Sequence, residues 1–265
     1  MIAYTYGMAK DLQSVGSTVQ ANAPTISGQN YLGLSYADND LRNRVIGYLN
    51  YKVNYGQDGR GGSSMITIGM NATSGQKFSY IYTNDLNGDG QTNDLIYVPN
   101  SASELTFLPL VSGGKTFTPA EQQAAWDAYI DNNPYLKTRR GSYAERNGGF
   151  SPWLTRFDVS FVHDFYIWTG KWRNTLQLRF DILNAANMLN SNWGVGYVAP
   201  GGNFGNISPI SIANGGSTST SDTPTYRLVP QVVNGQTVLI QDSFIKSVSV
   251  ANTWQGQIGV RYIFN

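Results

Sequence analysis

"NTLQLRFDILN", residues 174–184, alternates without a slip: Leu176, Leu178, Phe180 and Ile182 fall on one parity, and Gln177, Arg179 and Asp181 on the other. Successive side chains of a strand point to opposite faces, so the stretch predicts a strand with one apolar and one charged face. The pattern recurs about six times, bounded by Gly, Asn and Asp clusters. "TRFDVSFVHDF" sets Phe157, Val159, Phe161 and Phe165 against Arg156, Asp158, Ser160 and Asp164. "LRNRVIGYLNYKVNY" sets Val45, Gly47, Leu49, Tyr51, Val53 and Tyr55 against Arg44, Tyr48, Asn50 and Lys52. "SMITIGM" reads as continuing through a short break into "KFSYIY", with Ile66, Ile68, Met70, Phe78, Tyr80 and Tyr82 on one parity. The ending "WQGQIGVRYIFN" places Trp254, Ile258, Val260, Tyr262 and Phe264 opposite Gln255, Gln257 and Arg261. His163 falls on the apolar parity of its strand, which predicts a position near an interface.

Composition narrows what such strands can be. Asp, Glu, Lys and Arg make up only 13% of the chain while aromatics reach 13%, an unusual surface for a cytosolic protein, where charged residues run near a quarter. No stretch approaches the roughly 18 apolar residues of a membrane helix. A net charge of +1 without clustered Lys and Arg removes the electrostatic basis for nucleic-acid binding. Zero cysteines exclude disulfide frameworks, thiolate metal sites and cysteine nucleophiles. The N-terminus has no basic segment followed by an apolar one, and reads as a strand already begun.

Connections alternate in length. Gly56–Gly62 and Thr169–Lys171 are short, whereas 11–40, 84–150 and 187–251 are long and rich in Gly, Ser, Asn and Thr. Loops beyond about 15 residues are uncommon in compact soluble domains. Transmembrane barrels are built this way, with short turns on one side, long loops on the other and dyad strands between. Trp153, Tyr166, Trp172, Trp254 and Tyr82 suit the aromatic girdles at the two interfaces. Since single-chain barrels start at about eight strands, about six strands are expected to be one part of a larger barrel. The fold expectation is therefore all-β: an antiparallel transmembrane β-barrel segment over 1–265, with long extracellular loops and one short loop helix.

Three segments carry a resemblance. "NDLNGDGQTNDLIYVP" (84–99), "YLKTRRGSYAERNGGFSPWLTRFDVSF" (135–161) and the ending "WQGQIGVRYIFN" resemble the C-terminal part of TonB-dependent outer-membrane receptors, in the Oar-like group near the SusC-like receptors of Bacteroidota. The resemblance implies a 22-stranded barrel occluded by an N-terminal plug, importing a ligand caught by the extracellular loops. It implies the cell outer membrane as location. The implied partners are membrane lipid and lipopolysaccharide, the rest of the barrel and the plug, the TonB complex, the barrel assembly machinery and a surface lipoprotein. The terminal strand, with Ile258, Val260, Tyr262 and Phe264 before Asn265, is similar to the signal that the assembly machinery reads by edge pairing. Two alternatives are a soluble or surface β-sandwich with calcium-stabilised loops that binds carbohydrate or protein, and an adhesin or secretion barrel independent of TonB.

The candidate sites lie in the loops. Asp85, Asn87 and Asp89 take the first, third and fifth positions of a calcium loop, Gly90 the sixth and Gln91 the seventh. Ile96 stands where the closing Glu of an EF-hand belongs, leaving Asp94 to substitute, so Ca2+ is the expected cofactor; consecutive Asn, Asp and Gly turns leaving a strand are the alternative. Arg139, Arg140 and Arg146 offer forks for an anionic ligand, or for anchoring the loop through Asp158 or Asp164. Thr118, Pro119 and Glu121 predict a helix start, Asn132 to Pro134 its end, and Ala125, Tyr129 and Ile130 its docking face. His163 sits beside Asp164, where strand neighbours diverge, and Glu104, Glu121 and Glu145 form no motif, so no catalytic residues are expected.

Overall fold

The computed structural model describes residues 1–14, 23–57, 60–199, 205–214, 223–233, 235–247 and 249–264. With 48% strand against 13% helix, the chain is mostly β. Eleven strands build its two main sheets: β1 (Ile2–Tyr6), β2 (Asn43–Tyr55), β3 (Gly62–Thr73), β4 (Lys77–Tyr82), β5 (Thr106–Phe107), β6 (Gly149–Phe150), β7 (Leu154–Thr169), β8 (Trp172–Leu183), β9 (Asn206–Ile212), β10 (Thr225–Leu228) and β11 (Gln255–Ile263). One helix of length, α1 (Pro119–Asn132), lies between β5 and β6, and a short one, α2 (Ala185–Leu189), follows β8. Among the described residues no helix is long and apolar enough to cross a membrane.

The first sheet is an open antiparallel meander in the order β1-β2-β3-β7-β8-β11. Its register collects the dyad pattern of separate strands onto one face. Tyr51 pairs with Ile66, Ile66 with Phe161, Phe161 with Phe180 and Phe180 with Ile258, an apolar row across five strands. The next row joins Leu49, Ile68, Val159 and Ile182. On the opposite face Asn50, Thr67, Ser160, Asp181 and Gln257 form a polar row. Nothing among the described residues covers the apolar face: Tyr51 is 66% exposed, Phe180 43% and Ile258 76%.

Hairpin geometry explains the short connections. Gly170 at φ 63° lets Thr169 pair directly with Trp172, and Gly56 at φ 80° opens the turn that returns the chain from Tyr55 to Gly62. Gly62 pairs with Phe165, whereas the second turn begins four residues further on, at Thr169. The tight turns therefore step along the sheet, the shear that tilts strands in barrels. All three long connections (7–42, 74–153 and 184–254) leave from the other end, where Tyr6 meets Asn43, Thr73 meets Leu154 and Leu183 meets Gln255.

Expectation and structure part at residue 77. "KFSYIY" does not extend β3. Ser74 and Gly75 turn the chain away, and β4 enters a second five-stranded sheet in the order β6-β4-β9-β10-β5. There β4 pairs antiparallel with β6 and parallel with β9, and all six of its residues are buried. Alternation of Phe78, Tyr80 and Tyr82 is the same for a strand half in lipid as for one inside a core, so periodicity alone could not separate them. Tyr82, expected in an aromatic girdle, is a core residue. Tyr166 lies on the polar parity, with its hydroxyl donating to Ser63 Oγ at 3.1 Å. Trp153, Trp172 and Trp254 do stand exposed at the ends of the first sheet.

Among the described residues the main hydrophobic cluster is built from the long connections, with no member from the first sheet. Phe78, Tyr80, Tyr82, Ile96, Trp126, Ile130 and Leu136 from the second connection meet Ile207, Ile210, Tyr226, Leu228 and Ile240 from the third. Helix α1 has the full capping box between Thr118 and Glu121, Pro at its first position and Asn133 as C-cap. It buries Trp126, Tyr129 and Ile130, and Gln122 joins them by donating to the Leu108 carbonyl at 2.8 Å and accepting from the Leu228 amide at 3.1 Å.

Gly75 tests the junction. A Cβ there would lie 1.9 Å from the Ser151 carbonyl oxygen, a backbone atom that a rotamer change cannot remove. Gly75→Ala should destabilise the assembly by about 1–3 kcal/mol or more, as overpacking does. An unchanged midpoint in chemical denaturation would show that the turn is not held against residue 151.

Candidate functional site

The long connections fold into one body at the end of the first sheet from which they leave, and the candidate site residues sit at its seams. Residues 84–94 leave β4 and curl around Asp94. The Asp94 carboxylate accepts the Leu86 amide at 2.6 Å and the Asn87 side-chain amide at 2.6 Å. Asp85 accepts the amides of Gly88 (2.7 Å) and Gly90 (2.8 Å), Asn87 accepts that of Asp89 (2.9 Å), and Asp89 that of Gln91 (2.8 Å). Gly88 and Gly90 adopt φ of 76° and 84°, the left-handed conformation that lets the chain wind this tightly.

Burial, reinforced by the charges of Asp85 and Asp89, raises the pKa of Asp94 against the lowering effect of its two backbone amides. Burial and the neighbouring carboxylates thus penalise its charged form, a penalty that a hard cation would reduce. The donor chemistry fits calcium. Among the described residues, however, no three acidic or imidazole side chains converge on a point as ligands would. Each carboxylate of the loop is aimed at a backbone amide, so what the structure displays is a set of Asx turns nested on a buried aspartate.

The three arginines of the second connection each hold chain to chain. Arg139 donates to the Tyr143 carbonyl at 2.8 Å and pairs with Glu145 at 3.0 Å. Arg140 reaches Asp127 at 3.0 Å and Asp131 at 2.9 Å on α1, together with the carbonyls of Pro99 and Asn100. Arg146, buried, donates to both the carboxylate and the carbonyl of Asp11 at 2.7 Å. Their carboxylate partners are thus Glu145, Asp127, Asp131 and Asp11 instead of Asp158 or Asp164. Asp158 accepts the Asn184 amide, and Asp164 takes Ser63 and Gln177. Asn147 completes the seam: its side chain donates to the Tyr36 carbonyl and Asp38, and its amide donates to Ser79 Oγ.

A second seam, invisible in the sequence, joins the second and third connections. Asn133 donates to Tyr80 Oη and to Ser243 Oγ, and Ser243 donates to Tyr129 Oη, all buried. Burial pushes the phenols of Tyr80 and Tyr129 up, so both stay neutral and available as hydrogen-bond partners. Ser243 lies in a featureless stretch, 110 residues from Asn133, and no local signal marks it.

Roomy clefts on this body are lined by described residues. One, of about 600 Å³, runs between α1 and residues 237–242; another, of about 520 Å³, lies between residues 24–35 and 139–146, with Tyr31, Tyr143, Arg139 and Glu145 at its walls. His163 is distant from both. It faces Ser64 Oγ at 2.6 Å and stacks edge-on against Phe165, two residues from the end of β3, near the short turns. No family model, curated protein or solved structure matches the chain.

Asp94 is the hub of its loop. Asp94→Ala would leave the Leu86 and Asn87 amides without their acceptor, a loss of about 1–3 kcal/mol for a buried bond to a charged group. Hydrogen exchange should show lost protection across 85–91; equal protection in the variant would place the hub elsewhere.

Proposed function

We propose that the chain is the C-terminal part of a TonB-dependent outer-membrane receptor, whose first sheet belongs to the barrel wall and whose long connections form its extracellular, ligand-binding side. One observation carries this reading: a continuous apolar face, in register over the strands of the first sheet and covered by nothing among the described residues, opposite a polar face. A soluble sheet hides such a face under a second layer. A barrel turns it to lipid and its polar face to the lumen. From Phe157 to Ile167 the apolar parity of β7 runs ~33 Å along the strand, or ~25 Å after a tilt of about 40°, the height of a barrel's lipid band. The edges of β1 and β11, unpaired among the described residues, are where further wall would continue.

The lipid, lipopolysaccharide, plug, TonB and assembly-machinery partners follow from the same reading, with Ile258, Val260, Tyr262 and Phe264 as the strand that the machinery would grip. The uncovered face favours this over a calcium-stabilised β-sandwich.

Outer-membrane fractions should contain the parent protein, migrating differently in gels before and after boiling. Phe180→Arg, at the middle of the apolar row, should cost about 2–4 kcal/mol of barrel stability. Recovery of the 265-residue chain as a folded monomer without detergent would sink the proposal.

Calcium belongs to the same proposal as a stiffener at residues 85–94, held by Asp85, Asn87, Asp89, the Gln91 carbonyl and Asp94. Added calcium should slow hydrogen exchange across 84–100, and chelation should reverse this with the barrel intact. No change with millimolar calcium would remove the metal from the account.

A further inference from the structure

Lys77, the first residue of β4, has a side chain with no exposed surface, and its Nζ makes no hydrogen bond. The Nζ atom lies between two rings, 3.6 Å from the centroid of Tyr36 and 3.4 Å from that of Phe150. Its nearest carboxylate oxygen, Asp40 Oδ2, is 3.8 Å away and already accepts from Arg42 at 2.8 Å, while Asp40 Oδ1 takes the Ala9 amide. The Arg42 guanidinium presses on the same two rings, and Lys10 lies 5.0 Å from Tyr36. Tyr36, Asp40 and Arg42 come from the first long connection, Lys77 and Phe150 from the second. An amine is thus enclosed where two connections meet, with ring faces in place of water and, when it is charged, only those faces and a shared carboxylate to balance it.

We propose that Lys77 is a proton-controlled latch between the first and second long connections: uncharged, it closes the cage of Tyr36 and Phe150; protonated, it releases the first connection from β4. Burial, followed by the Arg42 charge, pushes Lys77 down to about 8, against the opposing pull of Asp40 and Glu145. Arg42 stays charged, and the Ala9 amide and Arg42 hold the Asp40 carboxyl below the usual range despite its burial, so both remain ionised across this window. An opened latch would expose Lys77 to water, where its ordinary value is 10.5. Between about 8 and that value the open form holds a proton that the closed form has shed. Closure therefore strengthens as pH rises from about 8 and is weakest below it, changing by up to about tenfold per unit.

The test is hydrogen exchange of residues 35–43 in the whole protein in detergent micelles, as protection factors corrected for intrinsic rates, from about pH 7 to about pH 9.5. Protection in the wild type should rise at least tenfold over that range, while Lys77→Met, a neutral side chain of similar length, should be well protected and flat. Asp40→Asn, which removes the carboxylate favouring the ammonium, should move the midpoint to lower pH. A flat wild-type profile overturns the latch, as does a Lys77→Met profile with the wild-type slope. If Lys77→Met does not fold, an Asp40→Asn midpoint that stays or rises overturns it equally.

Discussion

The cross-strand register of the first sheet is the constraint on which the rest depends. Tyr51, Ile66, Phe161, Phe180 and Ile258 come from five strands and share one row only because each hairpin closes at one residue and no other. A slip of one residue in any pair would turn that strand's apolar set to the polar face. Gly56 and Gly170 set the register at the short turns, and the pleat carries it the length of the strands. At the far end the same register delivers three long connections side by side, so that they can pack on one another.

That packing inverts the usual relation between scaffold and loops. Loops normally ride on a core they do not own. Here the core belongs to the connections, and the sheet between them has none. Trp126 and Ile130 of α1 bury against strands of the third connection, which inserts β9 and β10 between β4 and β5 of the second. The buried Tyr80, Asn133, Ser243 and Tyr129 network then closes one seam with bonds out of water, where an unmade bond is expensive, and the part-buried Arg146 to Asp11 pair closes the other. The first sheet is left to be stabilised by whatever covers its apolar face.

Some features were legible because their causes are local. The strands of the first sheet follow from period-2 alternation, the short turns from glycine, and α1 from Thr118, Pro119 and Glu121, whose capping box forms as its spacing requires. Other features were not legible because their causes are not local. Residues 77–82 alternate as a membrane strand would, yet a three-residue turn at 74–76 redirects them into a core whose other half lies beyond residue 205. The arginines at 139, 140 and 146 announced ion pairing, but which carboxylates they would meet depended on where α1 and residue 11 came to rest.

By itself, then, the sequence determined which residues form the strands of the first sheet, which face of each is apolar and where the chain turns tightly, since these depend on neighbours within a few positions; apart from residues 77–82, the strands inside the long connections it left as loop. Tertiary structure decided that the long connections share a core, that Asp94 gathers its loop and that Lys77 is caged by Tyr36 and Phe150. The shared core and the Lys77 cage join residues tens to more than a hundred positions apart, and a pairwise contact at that range leaves no periodicity in a single chain; the Asp94 bonds span only seven or eight positions, but in an irregular turn that has no period to read.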